Sequence, residues 1–201
     1  MYTALVYSTY ILGNVLLFAG ALVALSYLWA NRNENWLNVA YRLAVAALAS
    51  LIAAGLLRAF QWNLVPFTTA IDSLCLFMTL SLTVLILQLA AFSNHRALLC
   101  FYLPSVSFIG ILSLFAAYPA LCEEPKALSG ALLMVHVGLV FLAFALFFLA
   151  GLNSVAYAFQ AYRLKNRKTT GLFQRLPSLE ALDKNLFQLI RAGYPTFLVT
   201  L

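Results

Sequence analysis

The sequence predicts an all-α protein, a polytopic membrane helix bundle with five full spans and an incomplete sixth. Two observations carry that prediction. The chain has 201 residues, of which 64% are hydrophobic and only 9% charged, where a soluble domain needs about a quarter of its residues charged to cover its surface. Its apolar residues fall into runs of spanning length, and the run from Ala127 to Tyr162 contains no Asp, Glu, Lys or Arg. A hydrocarbon core about 30 Å thick is crossed by about 20 apolar residues in a helix. The 129–162 run exceeds that, so it is expected to continue out of the membrane towards its basic end, Arg163, Lys165, Arg167 and Lys168. The net charge of +6 sits on loops, where it reports topology. It is no signal for nucleic acid, and the partner that the composition implies is the lipid bilayer.

The first span is expected at 4–29, ended by Asn31, Arg32 and Asn33. The start of the chain lacks a basic segment, and its apolar part is too long for a cleaved leader, so it reads as a spanning helix. The second span is expected at 36–57, with Arg58 marking its end. In the following stretch Pro66 cannot continue a helix, and Thr68 or Thr69 can cap the next one. The third span is expected at 70–92 and the fourth at 98–118, with Pro104 and Gly110 as kink points. The fifth is the 129–162 run. A basic linker at 163–185 follows, and a helix opens at Ser178 as N-cap with Glu180 in its first turn. Leu179, Leu182, Leu186, Leu189 and Ile190 recur at helical spacing. Gly193 and Pro195 are expected to break or kink this helix, and the partial span at 186–201 stops within an apolar run, as a truncated sequence would.

Basic residues orient the bundle. Loops after the odd-numbered spans carry nine (Arg32 to Lys184), while those after even-numbered spans carry only Arg58 and Lys126. Positive-inside bias then puts the N-terminus outside and the 163–185 linker in the cytoplasm of a bacterial inner membrane. Trp62 on the outer side and Trp29 and Trp36 on the inner side fit interfacial belts.

Few residues offer chemistry. His136 lies within the longest run, near the outer boundary, where an imidazole serves as an axial haem ligand or as a hydrogen-bonded interfacial residue. His95 stands in a turn beside Arg96 and reads as solvated. Asp72, about one turn into the third span, is the carboxylate within a span; it offers a proton or cation group, a partner for Arg58, or a first-turn carboxylate favoured by the helix dipole. Arg58 could instead pair with an anionic group such as a propionate. Arg191 can snorkel to the cytoplasmic side, and Glu123 and Glu124 form a solvated pair. Cys75, Cys100 and Cys122 make no C-x-x-C, and no metal or thiol-redox pair follows from them. The chain carries no phosphate loop, nucleophile elbow, H-E-x-x-H or dinucleotide fingerprint, so an enzyme acting on its own is not expected. A small transporter using Asp72 and Arg58 finds little support, since no inverted repeat is visible.

Three segments resemble the cytochrome c assembly family of system II (CcsA/ResC type), including its HemX/YpjD-like branch. Pro66-Phe67-Thr68-Thr69-Ala70-Ile71-Asp72-Ser73-Leu74 is similar to the family's P-x-S-N-x-x-E-S-L helix entry, with Thr69 and Asp72 in the Asn and Glu places. His136 through Ala143-Phe144-Ala145 to Tyr157-Ala158 is similar to its histidine-bearing helix with a basic tail. Leu176-Pro177-Ser178-Leu179-Glu180-Ala181-Leu182-Asp183 through Gly193-Tyr194-Pro195 is similar to its P-x-L-x-x-L-D … G-[FY]-P block. The resemblance spans Pro66 to Leu201. It implies a membrane protein that handles haem for cytochrome c on the outer face, with haem as cofactor, His136 as axial ligand, and other cytochrome c assembly proteins as partners. The W-x-x-W-D haem-presenting segment is not in this chain, nor is a histidine in the second span. Those departures point to the HemX/YpjD-like branch and leave a second reading, a non-catalytic inner-membrane partner that stabilises another complex without haem.

Overall fold

A computed structural model describes residues 2–29, 35–62, 69–91, 93–122, 131–166 and 176–201. These form six α-helices: α1 (Tyr2–Trp29), α2 (Asn35–Trp62), α3 (Ala70–Ala91), α4 (Leu99–Cys122), α5 (Ala131–Lys165) and α6 (Leu179–Leu198), with a 3₁₀ turn at Ser93–Leu98 before α4. The first five are long and apolar enough to cross a membrane. The expected stops at Pro66 and Thr68, and Glu123, Glu124, Lys126, Arg32, Arg167, Lys168 and Arg175, lie outside the described residues, as do the side chains of Trp29, Trp62 and His95.

The first two helices pair through small residues at heptad spacing. On α2, Ala40, Ala44, Ala47, Leu51 and Ala54 are buried; their separations of four, three, four and three residues trace one seam along the helix. On α1 the matching seam includes Gly13 and Gly20. A Cβ on Gly13 would stand 3.0 Å from Leu51 Cδ2, and one on Gly20 would stand 3.4 Å from Leu43 Cβ and 3.6 Å from the Ala40 carbonyl oxygen. Without water to drive apolar association, spanning helices gain contact by close backbone approach, which such residues allow. Tyr10 ties this pair to α4 by a buried hydroxyl hydrogen bond of 2.5 Å to Ser113, and the Cys100 thiol donates to the Ala24 carbonyl across α1 and α4 at 3.2 Å.

α5 crosses over α3, where Phe77 and Phe148 meet edge-to-face at 5.4 Å. α6 then returns along the basic half of α5. Its buried stripe is Leu182, Asn185, Leu189 and Gly193. Asn153 donates to the Leu182 carbonyl at 2.8 Å, and Gln88 of α3 donates to Asn185 Oδ1 at 2.7 Å. Ser178 caps α6 by accepting from the Ala181 N–H at 3.2 Å, as its sequence position predicts.

Two boundaries differ from the sequence reading, the end of α2 and the expected break in α6, while α4 contains Pro104 and Gly110 as expected. α2 runs through Arg58 to Trp62, because nothing in Arg58-Ala59-Phe60-Gln61 disfavours a helix before the proline at 66 is reached. α4 is continuous past Pro104 and Gly110. Pro104 is the sixth residue of α4, where it removes one helical bond without ending the helix. α6 is one helix through Gly193 and Pro195. Gly193 is a packing position, since a Cβ there would meet Phe147 at 3.2 Å and Leu146 at 3.3 Å. Pro195 lies in the last turn of α6, which nonetheless closes with Val199 N–H donating to the Pro195 carbonyl at 3.1 Å.

The two ends of the bundle differ in charge. Arg42, Arg96, Arg163 and Lys165 belong to one end, near the start of α2 and α4 and the end of α5. There Arg96 hydrogen-bonds Asn38 and lies over the Tyr41 ring at 5.6 Å, and Arg163 lies over the Phe159 ring at 5.6 Å. Arg58 and Asp72 occupy the opposite end.

Candidate functional site

The α3 entry is built as a reciprocal cap. Thr69 precedes the first helical residue, and its hydroxyl oxygen accepts from the Asp72 N–H at 3.3 Å while its O–H donates to Asp72 Oδ2 at 2.5 Å. The Thr69 carbonyl accepts the first helical bond, from Ser73 N–H at 3.1 Å. This is a variant of the capping box, in which the third residue of the helix reaches back to the cap's hydroxyl rather than to its backbone N–H. It turns the Asp72 carboxylate inward, where Arg58 Nε stands 2.5 Å from Oδ1 with both side chains only 4% and 5% exposed. Arg58 Nη2 adds a long contact of 3.4 Å to Oδ2. Arg58 therefore joins α2 to α3. It follows Ala54 by four residues, on the same heptad seam, so the packing that brings α1 and α2 together also buries its stem.

A cavity of about 320 Å³ adjoins the pair, walled by α1, α2 and α3. Arg58 and Asp72 line it together with Tyr10, Leu51, Cys75 and Thr79. His136 does not line it.

His136 is exposed on the outside of α5 and has no hydrogen-bond partner among the described residues. Its depth follows from the Phe77–Phe148 contact. Asp72 lies five residues, about 8 Å, from Phe77 towards the end of the bundle that holds the ion pair, whereas His136 lies twelve residues, about 18 Å, in the same direction from Phe148. The imidazole thus stands about 10 Å further out along the bundle than the ion pair. The first turns of α5 project beyond the start of α3, which leaves Leu132 and Val135 exposed beside it. The sequence-predicted site residues accordingly fall in two places: Arg58 with Asp72 in the helix interior, and His136 outside and beyond them.

The residues meet a haem unequally. The His136 imidazole is accessible, unengaged within the described residues and flanked by apolar surface, which fits one axial position and the face of a macrocycle. Arg58 does not fit a propionate, because the Asp72 carboxylate already compensates its charge at 2.5 Å. Among the described residues no three His, Cys, Asp or Glu side chains converge to hold a bare metal ion.

Sequence reasoning missed the seam as a signal. The run of separations 40, 44, 47, 51, 54 extends to 58 and assigns Arg58 to the bundle interior. Gln88, Asn153 and Asn185, which carry the polar contacts of α6, were also passed over.

Comparison with known proteins gives the lineage. The chain is 27% identical over 177 residues to the protein HemX of Brevibacillus brevis, an alignment covering 87% of this chain and 63% of that relative. The chain thus spans less than two thirds of the relative's length. No solved structure matches. The family described as "Cytochrome C assembly protein" matches residues 67–201, a stretch that begins just before the α3 cap and takes in the ion pair's carboxylate, His136 and the whole of α6. On that match, this membrane helix bundle belongs to the cytochrome c assembly protein family.

Proposed function

We propose that the protein handles haem at the outer end of its bundle, with His136 as an axial ligand, in the biogenesis of c-type cytochromes. The observation that supports this reading is the exposed, unengaged imidazole on an otherwise apolar helix flank. An ionisable residue within an apolar span is by default a functional-site candidate, and a neutral imidazole is a good iron ligand. When bound, haem would supply an iron centre that the His136 imidazole would ligate. The chain's own contribution is to hold that imidazole about 10 Å beyond the buried ion pair, on a rigid helix, with apolar surface beside it. Arg58 takes no part in this reading.

The orientation belongs to the same proposal. Arg42, Arg96, Arg163 and Lys165 share one end, and Arg58 at the other end is neutralised by Asp72. Positive-inside bias then puts the basic end in the cytoplasm of a bacterial inner membrane and His136 on the outer side. The protein acts with other assembly proteins rather than as an enzyme on its own.

The test is visible spectroscopy of the full-length natural protein purified in detergent. A b-type haem spectrum is expected, lost in His136→Ala and retained in Arg58→Gln. A colourless wild-type protein, or a His136→Ala variant with an unchanged spectrum, overturns the assignment. The second reading, a haem-free stabilising subunit, draws on the open flank of α5, where Leu132, Val135 and Phe144 are exposed. It expects a colourless protein that co-purifies with a defined membrane partner.

A further inference from the structure

We infer that the slot between α1, α2 and α3 binds a lipid-soluble amphiphile with a neutral, carbonyl-bearing head group, entering sideways from the bilayer. This site is separate from His136 and does not rest on the haem reading.

Its shape is the first argument. The cavity measures about 320 Å³, at the lower end of the usual range for small-molecule sites, about 300–1,000 Å³. Its lining extends from Leu51 to Ala59 on α2 and from Ile71 to Thr79 on α3. Eight helical steps on each side give a slot about 12 Å long, parallel to the helices. Arg58 and Asp72 lie within about 6 Å of the ends of their helices, so the ionic end is the outer one. The shaft below it is apolar apart from Tyr10, Cys75 and Thr79. The Tyr10 hydroxyl is already joined to Ser113 and the Thr79 hydroxyl to the Cys75 carbonyl, so neither demands a polar occupant.

The mouth is the second argument. Ile52 and Leu56 line the slot and are 43% and 55% exposed. They lie on the flank of a spanning helix, so the opening meets lipid rather than water. Between them stands Gly55, also a lining residue, where an added Cβ would meet nothing within 4 Å. The gap beside Gly55 is therefore open space.

The charge selects the head group. Guanidinium and carboxylate face the slot as a compensated pair 2.5 Å apart. An anionic head would have to displace Asp72, and a cationic one would have to displace Arg58. A neutral head with carbonyl oxygens keeps the pair intact and meets the small polar patch that the pair presents at one end of an otherwise apolar slot. A buried ion pair is costly to maintain when apolar residues would pack as well, and a slot that recognises a polar head gives it a use. A quinone ring and a glycerolipid ester share this chemistry.

The thiol of Cys75 in the slot wall is the reporter. In full-length protein with Cys100→Ala and Cys122→Ser, the rate of Cys75 alkylation by N-ethylmaleimide is followed by mass spectrometry. Decylubiquinone and dioleoylglycerol are the neutral probes; dioleoyl phosphatidic acid and haemin are the comparisons. A neutral probe at about ten times its Kd should slow alkylation about tenfold by simple occupancy. The probe that does so identifies the source as quinone or glycerolipid. Gly55→Phe, which fills the slot from its open side, should abolish the protection. Gly151→Phe, on an open face of α5 where a Cβ also meets nothing within 4 Å, should preserve it. Protection by neither neutral probe, equal or stronger protection by phosphatidic acid, protection by haemin alone, or a Cys75 that never reacts overturns the proposal.

Discussion

Replacing Asp72 with Asn should destabilise the bundle far more than the loss of one surface charge would. Both side chains of the Arg58–Asp72 pair are almost fully covered, so the guanidinium left behind cannot recover its solvation from water. Removing one partner of a buried pair costs about 3–5 kcal/mol, because an uncompensated charge stays behind, while replacing both with apolar residues of similar size is close to neutral or stabilising. Asn keeps one side-chain oxygen, so it can still receive the Thr69 hydroxyl and retain part of the cap. The lower value, about 3 kcal/mol, is therefore expected for Asp72→Asn and the higher for Asp72→Leu. For a domain of this size 1 kcal/mol moves the melting temperature by roughly 2–4 °C, so Asp72→Asn should melt about 6–12 °C lower. The assay is thermal unfolding in one detergent, followed by helix content, for wild type, Arg58→Met, Asp72→Leu and the double variant. The double variant should melt within a few degrees of wild type and well above either single variant. Single variants that melt like wild type, or a double variant that loses the sum of the two, would refute the claim that the two charges compensate each other in a dry interior.

Other substitutions test the packing around this site. Gly110→Ala should cost about 1–3 kcal/mol, because a Cβ there would run into Asn14 Oδ1 and stand 3.5 Å from Met78 Sδ; Asn14→Ala in the same chain should restore most of the loss in a thermal melt. Asn153→Leu removes the donor to the Leu182 carbonyl, which keeps its own helical bond within α6, a cost of about 0.5–1.5 kcal/mol; hydrogen exchange should rise across Leu179–Leu198 before it rises in α1 or α2. His136→Ala should leave the melting curve within about 0.5 kcal/mol of wild type, as an exposed residue without a hydrogen-bond partner among the described residues does, which separates any spectral loss from unfolding. Gly13→Val should loosen α1 from α2, since its Cβ position already stands 3.0 Å from Leu51 Cδ2, and protease sensitivity of the purified protein reads that change.

Much of this architecture is legible in the sequence because a bilayer is a demanding solvent. Backbone polar groups must be satisfied within each span, so apolar runs of sufficient length become helices almost regardless of detail. That is why α1, α3 and α5 fall within a few residues of expectation. Breaks are harder to read. Pro195 and Gly193 look like punctuation, but a proline in the last turn removes one backbone bond just where the helix is about to end anyway, and glycine at a crowded crossing is selected for its missing side chain. The end of α2 was misjudged for a related reason. A lone arginine after an apolar run looks like an interfacial marker, whereas its heptad register gives it an interior position beside a carboxylate fourteen residues later.

The candidate residues are legible in the sequence and their grouping is not. His136, Asp72 and Arg58 stand out as ionisable groups in or beside apolar runs, and chain order alone suggests that one small molecule could touch all three. Depth decides otherwise. The edge contact of Phe77 with Phe148 offsets α5 relative to α3, so the imidazole stands beyond the start of α3 while the ion pair stays between the helices. That offset follows from where two aromatic rings interlock on different helices, a relation that neither helix's own periodicity contains. It also makes the two ends of the argument independent. A ligand on His136 lies outside the helices and leaves the Arg58–Asp72 pair intact, whereas a ligand in the slot meets that pair and cannot reach the imidazole. Substitutions at one place should therefore be silent at the other, and coupling between them would require α5 to move along α3, breaking the Phe77–Phe148 contact.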